Sequence, residues 1–330
     1  MKLKQKSILI FIVLLMLIFV MYQTSLASPV IMKIALEMVE GHPNYTAMYK
    51  VKDVLEEKLG DRIDVKIYPG AQLGSESDCL EMVRNNTLEV CFVNSVRAVP
   101  QKKELGVIAL PFLFKNRKHA YEVLNGDIGK ELVEGLAEKG MHPIAFWEGG
   151  TREIATTKPI NSLDDLKGLK IRCMDNAVTM EFVKALGANP ISLAFEEVYT
   201  AAKSGLIDGT ETATVTFYNY GYYEALPYLA RVPWNYGTYT IYASEKWWAE
   251  LPTDLQKIIK DTFLEVGEKF HSPLLEKQHE DVYENLEKEG EILTYPELEP
   301  FINAMKPAYE DIWYPEFGED LINKIRNYNG

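Results

Sequence analysis

Hydrophobic and polar positions alternate along the chain in short runs, and stretches of helical periodicity separate the runs. Met32 to Leu36 is the first strand-like run, and Ile63, Val65 and Ile67 alternate as a second. Between them, Gly41-His42-Pro43 opens a segment in which Tyr45, Met48, Val51, Val54, Leu55 and Leu59 recur at helical spacing. A helix over 75–85 and a strand over 88–93 complete a βαβαβ rhythm, which predicts a parallel sheet. A second unit of the same style begins near Gly149-Gly150. In it Ser162 and Asp165 have capping-box spacing, and Lys170 to Met174 reads as a strand. A helix over 177–186 stops at Gly187, a strand follows over 190–193, and a helix over 196–204 stops at Gly205. Two such units predict two α/β lobes with a cleft between them.

The segment 253–289 carries an apolar stripe of Leu255, Ile258, Ile259, Phe263, Val266 and Phe270. As one helix it would reach roughly 55 Å, longer than a small domain is wide, so it must lie across both lobes. Pro273 predicts a bend near His271. The chain has no internal repeat and no Gly/Ser linker, so strands rather than a loose tether should join the lobes.

At 330 residues, 47% hydrophobic and 11% aromatic, the chain can fill two cores. The first residues read as a signal peptide: Lys2, Lys4 and Lys6, an apolar run from Ile8 to Val20, and Ser25-Leu26-Ala27 as the cleavage site. An uncleaved anchor is the alternative, since the apolar run approaches spanning length. Removing residues 1–27 takes away three Lys and no acid, moving the formal charge from −13 to −16. So acidic a chain offers no footprint for nucleic acid, and an anionic ligand would need local arginines. Cys79, Cys91 and Cys173 read as buried thiols, with a single Cys79–Cys91 disulfide as the alternative; no zinc spacing occurs.

Catalytic patterns are absent from the sequence: no HExxH, GxSxG, GxGxxG or P-loop. Asp164-Asp165 and Glu196-Glu197 stand at helix starts, where they complement the dipole. Arg172 is the most informative residue. Alternation sets it on the opposite face from Ile171 and Cys173, near a strand end, where ligands of open α/β sheets collect. Its planar fork suits a carboxylate. Gly149-Gly150-Thr151-Arg152 adds a second arginine, with Trp147 before it. Asp208 to Thr212 reads as a turn facing the same cleft, and Val232 to Tyr236 supplies aromatic walls through Trp234.

At these residues the chain resembles the solute-binding proteins of the TRAP (tripartite ATP-independent periplasmic) transporter family. The likeness runs from about Lys33 to Tyr309 and is most specific in FWEGGTREIATTKPINSLDDLKGLKIRCMDNAVTMEFVKALGANPISLAFEEVYTAAKSGLIDG. YPGAQLGSE, ALPFLFKN, YEALPYL and the Ser-Glu-Lys-Trp-Trp segment are also typical. The resemblance implies a two-lobed periplasmic-binding-protein (type II-like) fold with a hinge and a long C-terminal helix spanning both lobes. Residues 28–149 with about 238–277 would form lobe I, and about 150–237 with 278–330 lobe II.

It further implies that Arg172 clamps the ligand carboxylate, that Arg152 joins it, and that Glu76 reaches polar groups of the ligand. Asn94 and His42 lie where first-lobe contacts arise. Two departures matter. Thr212 stands where the family has a ligand-bonding asparagine, keeping a hydroxyl but losing the paired amide. No Glu-Trp pair follows, so no metal or other cofactor is expected. Trp234 replaces a smaller polar residue, which favours a ligand with an apolar part. The expected function is capture of a small organic carboxylate, a sugar acid or another acid, by a periplasmic monomer that delivers it to the TRAP permease subunits. A sensory binding protein is the first rival, and an enzyme acting on a sugar acid the second.

Overall fold

The computed structural model describes residues 28–290 and 292–329; the signal-peptide reading lies outside them. Among the described residues its sheet has nine strands. Eight, whose ranges follow, take the order β2-β1-β3-β8-β4-β7-β5-β6, and β9 (Ile292–Thr294) pairs with β8. β1 (Val30–Leu36) lies parallel to β2 (Ile63–Tyr68) and β3 (Val90–Asn94), as the βαβαβ rhythm predicts. β5 (Lys170–Cys173) lies parallel to β6 (Asn189–Ser192) and β7 (Gly209–Ala213). The segment read as a turn, 208–212, is therefore mostly strand. Thr210 and Glu211 bond partners on neighbouring strands, while Thr212 lines the cleft.

The two parallel groups are joined by long strands. β4 (Met141–Thr156) and β8 (Tyr228–Ser244) run antiparallel through both halves of the molecule. The register slips at Pro143/Ala145, Glu148/Gly150 and Arg152/Ile154, which lets so long a ribbon bend between lobes. Gly149-Gly150 is thus a kink within a strand. A Cβ at Gly149 would stand 2.5 Å from the Tyr239 ring, and Gly150 has φ +94°.

The helix Pro43–Leu59 buries Met48, Val51 and Leu55 beneath β1, as its periodicity predicts. The capping box of Ser162 with Asp165 forms, and a second, unread from sequence, joins Ser75 to Asp78. The C-terminal stretch is helical over Thr253–Val266 and Ser272–Glu289, with a π-helical turn at Gly267–His271 between them. That turn sits where Pro273 predicts a disturbance: proline has no N–H to donate, and the wider turn accommodates the mismatch. The first half packs with Met48 and Leu55, and the second half, through Val282 and Leu286, packs with Phe217 and Leu229. The helix therefore spans both lobes.

The C-terminal helices over 298–326, assigned from sequence to lobe II, share a core with the segment 105–136 and with Val178 and Phe182. Tyr309 Oη donates to Pro111 O at 2.7 Å, and Lys324 pairs with Glu131 at 2.5 Å. Aromatic anchors on short amphipathic helices carry no information about which lobe receives them. All three cysteines are buried free thiols, so the disulfide alternative falls. No helix among the described residues is long and apolar enough to cross a membrane.

Candidate functional site

The carboxyl ends of β1, β3, β5 and β7 converge from the two parallel groups on one cavity. It is lined by Glu37, Glu76, Asn94, Arg97, Arg152, Arg172, Met174, Phe195, Thr212, Thr216 and Tyr239, and holds about 380 Å³ of empty space, part of it open to solvent. A smaller void of about 260 Å³ adjoins it, sharing Asn94, Arg152 and Met174 and walled by Ile108, Thr179 and Trp234. Strand alternation explains the polarity. In β5, Ile171 and Cys173 enter the core while Arg172 turns into the cleft.

Arg172 is 3% exposed. Its Nε and Nη2 both donate to Leu193 O, at 3.1 and 2.8 Å, which fixes the guanidinium plane. Among the described residues no carboxylate lies within 4.0 Å of it. Burial pulls its pKa below the usual arginine value, with Glu211 opposing. A buried cation held by a neutral carbonyl is incompletely compensated, and an anion in the cavity would complete it.

Arg152 is held differently. Its Nε donates to Glu211 Oε2 at 2.7 Å, and its Nη2 reaches both Glu211 Oε2 at 2.5 Å and Glu211 O at 3.1 Å. Cross-strand pairing of β4 and β7 sets Arg152 opposite Ala213, which puts Glu211 on the same face as its diagonal neighbour. On the opposite wall, Glu76 accepts from Asn94 N at 3.0 Å and from Arg97 Nε at 3.0 Å. Asn94 caps the following turn through Val96 N. Thr212 faces the cavity from β7.

Two residues expected at the ligand are elsewhere. Trp147 is a core residue of β4: its indole N–H donates to Phe263 O at 3.0 Å, and its ring stacks on His271 at 4.9 Å. It braces the π-helical turn, where a Cβ on Gly267 would stand 2.6 Å from Trp147 Nε1. Sequence spacing from Arg152 suggested proximity, but alternation around the β-bulge sends the indole to the far face. His42 is also fully buried and off the cavity wall. Its Nδ1 accepts from Asn44 N at 3.1 Å, capping the helix, and its Nε2 lies 3.4 Å from Thr216 Oγ1. Burial drops its pKa to about 3, so it is neutral. Thr216 is the wall residue in front of it.

Trp234 walls the smaller void, stacked on Phe182 at 4.1 Å, with the Arg152 guanidinium 5.8 Å from its ring centre. Its indole N–H has no acceptor among the described residues. Sequence reasoning missed Glu37, Arg97, Met174, Phe195, Thr216 and Tyr239 on the main wall. Strand-end position could have flagged Glu37, one residue beyond β1. No local pattern marks the others.

A two-lobed α/β protein with a hinge ribbon and an arginine-lined cleft between its lobes is a solute-binding protein in architecture. The model of the DctP family, bacterial extracellular solute-binding protein family 7, matches residues 34–316, and the chain belongs to that family. It is 27% identical to the sialic acid-binding periplasmic protein SiaP of Vibrio cholerae over 89% of this chain and 91% of that one. A TRAP periplasmic solute-binding protein of Roseobacter denitrificans, solved with bound β-D-glucuronate, superposes with a TM-score of 0.85 at 29% identity. That match covers 91% of this chain and all of the other. The Xanthobacter autotrophicus relative with bound β-D-galacturonate gives 0.84 at 28% identity, covering 90% of this chain and all of the other.

Proposed function

We propose that this protein captures a small organic carboxylate in the periplasm and hands it to the membrane permease subunits of a TRAP transporter. Arg172 carries the reading: a buried, carbonyl-fixed guanidinium without a carboxylate of its own, at the strand ends where the lobes meet. It would take the carboxylate as a bidentate pair. Arg152, already locked by Glu211, would offer its remaining edge, and Thr212 a hydroxyl. Glu76, Asn94 and Thr216 would bond the rest of the ligand.

Lobe I and lobe II each contribute part of this wall, so a ligand touching both favours closure through contacts the open form lacks. The lobes would move about the β4–β8 ribbon and the π-helical turn. The sugar acids bound by the structural neighbours support a carboxylate ligand. A thermal-shift screen of sugar acids, dicarboxylates and aromatic acids tests the reading. The expected result is stabilisation by carboxylates and none by their methyl esters or amides. Equal response to esters and acids would remove the basis for the clamp.

A further inference from the structure

The cavity wall contains two ionisable groups without a protein counter-charge, one acid and one base. Arg97 pairs with Glu76 at 3.0 Å and Arg152 with Glu211 at 2.5 Å. Arg172 has no carboxylate within 4.0 Å, and Glu37 has no cation within that distance, among the described residues. Resting on the carboxylate reading above, we infer that the ligand is a zwitterion, with its carboxylate on Arg172 and a protonated nitrogen against Glu37.

Glu37 follows β1 in lobe I, whereas Arg172 lies near the end of β5 in lobe II, so the two groups without a counter-charge belong to different walls of the cleft. Everything packed near Glu37 makes a bare carboxylate unwelcome. Glu76 faces it from the helix Glu76–Arg84, and Glu196 approaches from the other lobe. Tyr220 and Tyr222 adjoin from lobe II and Tyr239 from β8, none of them charged at neutral pH. The nearest cation is Arg97, already engaged by Glu76. With the cavity empty, burial first and then Glu76 and Glu196 push the Glu37 carboxyl up to about 9, so it keeps its proton. A ligand ammonium supplies the missing positive charge directly: Glu37 gives its proton to solvent, and the ion pair takes its place. A ligand bearing only hydroxyl groups needs no acid there, since an amide or hydroxyl would serve as well.

The charge count also disfavours a dicarboxylate. Once the two internal pairs are set aside, one cation remains to meet two negative charges, and the second would face Glu37 and Glu76.

The test uses matched carboxylates that differ by an amino group in place of a hydroxyl: glucosaminate and gluconate, galactosaminuronate and galacturonate, γ-aminobutyrate and γ-hydroxybutyrate. Affinities are measured by titration calorimetry on the wild-type protein, Glu37→Gln and Arg172→Ala. At least one amino member should bind the wild type about tenfold or more tightly than its hydroxy partner. Glu37→Gln should erase that preference, and Arg172→Ala should abolish binding of both members. Hydroxy members binding as well as amino members, no amino member binding, or a preference that survives Glu37→Gln would each overturn the inference. The wild-type comparison stands without any variant. Retention of a hydroxy acid by Arg172→Ala is the separate result that defeats the carboxylate reading itself.

Discussion

Arg152 and Glu211 are bound to each other three times over, once through each of two guanidinium nitrogens to Oε2 and once to the Glu211 carbonyl, at 2.5 to 3.1 Å. Glu211 is fully buried and its Oε1 has no partner. The pair is therefore a sealed unit, whose guanidinium is presented to the cavity already neutralised. Glu211→Ala leaves a buried arginine without its anion and should cost about 3–5 kcal/mol in chemical denaturation. A loss below about 1 kcal/mol would show that Arg152 finds water or another partner instead.

Trp147 should behave as a structural residue. Trp147→Phe removes the indole donor to Phe263 O, and the expected loss is about 1–2 kcal/mol of stability with ligand affinity unchanged. Gly267→Ala presses a methyl group against the same indole and should cost about 1–3 kcal/mol. A large affinity loss in Trp147→Phe with stability intact would return this residue to the ligand site.

Two buried histidines give stability a defined pH dependence. Burial lowers both His42 and His271 from 6.5 to about 3, so the unfolded chain binds more protons than the folded one between those values. Stability must then fall as pH drops from about 6.5 towards 3, by up to about 1.4 kcal/mol per pH unit for each histidine. Glu37 works in the opposite sense. Its folded value, raised from 4.5 to about 9, makes the ligand-free protein lose stability as pH rises between those values. Melting temperatures across pH 4 to 9 should therefore pass through a maximum. His271→Asn should flatten the acid side and Glu37→Gln the alkaline side. Unchanged slopes in both variants would contradict the assignments.

The thiols should be inert in the folded protein. Burial, helped by nearby acids, raises Cys79 to about 11 and Cys173 to about 12, and burial raises Cys91 well above its usual value. A thiol reagent should label none in the native protein and all three in denaturant. Fast labelling under native conditions would mean that the lobes open far enough to expose a core.

Much of this fold was legible because it rests on local chemistry. Alternation in β1, β2 and β5, the Ser162 capping box, and Pro273 all act within a few residues of themselves. Arg172 was legible for the same reason: its side is set by Ile171 and Cys173. The long ribbon was not, because Pro143, the Gly149-Gly150 pair and Pro233 interrupt its pattern and are absorbed only by register slips against a distant partner. Trp147 and His42 were misplaced for a related cause. Each lies near wall residues in sequence, but a bulge in one case and a helix cap in the other turn it inward. Glu37 had only its strand-end position to mark it, because its surroundings depend on Glu76 and Glu196, which the tertiary structure brings to it.

The central claim is that Arg172 serves the ligand and not the fold. Its side chain donates to one backbone carbonyl and pairs with no carboxylate, so Arg172→Ala should leave the melting temperature of the ligand-free protein nearly unchanged. The decisive measurement is calorimetric titration of wild type and Arg172→Ala with a carboxylate that stabilises the wild type. The account predicts a loss of affinity of a hundredfold or more, about 2.7 kcal/mol. Binding within about threefold of wild type by a folded Arg172→Ala protein would contradict it.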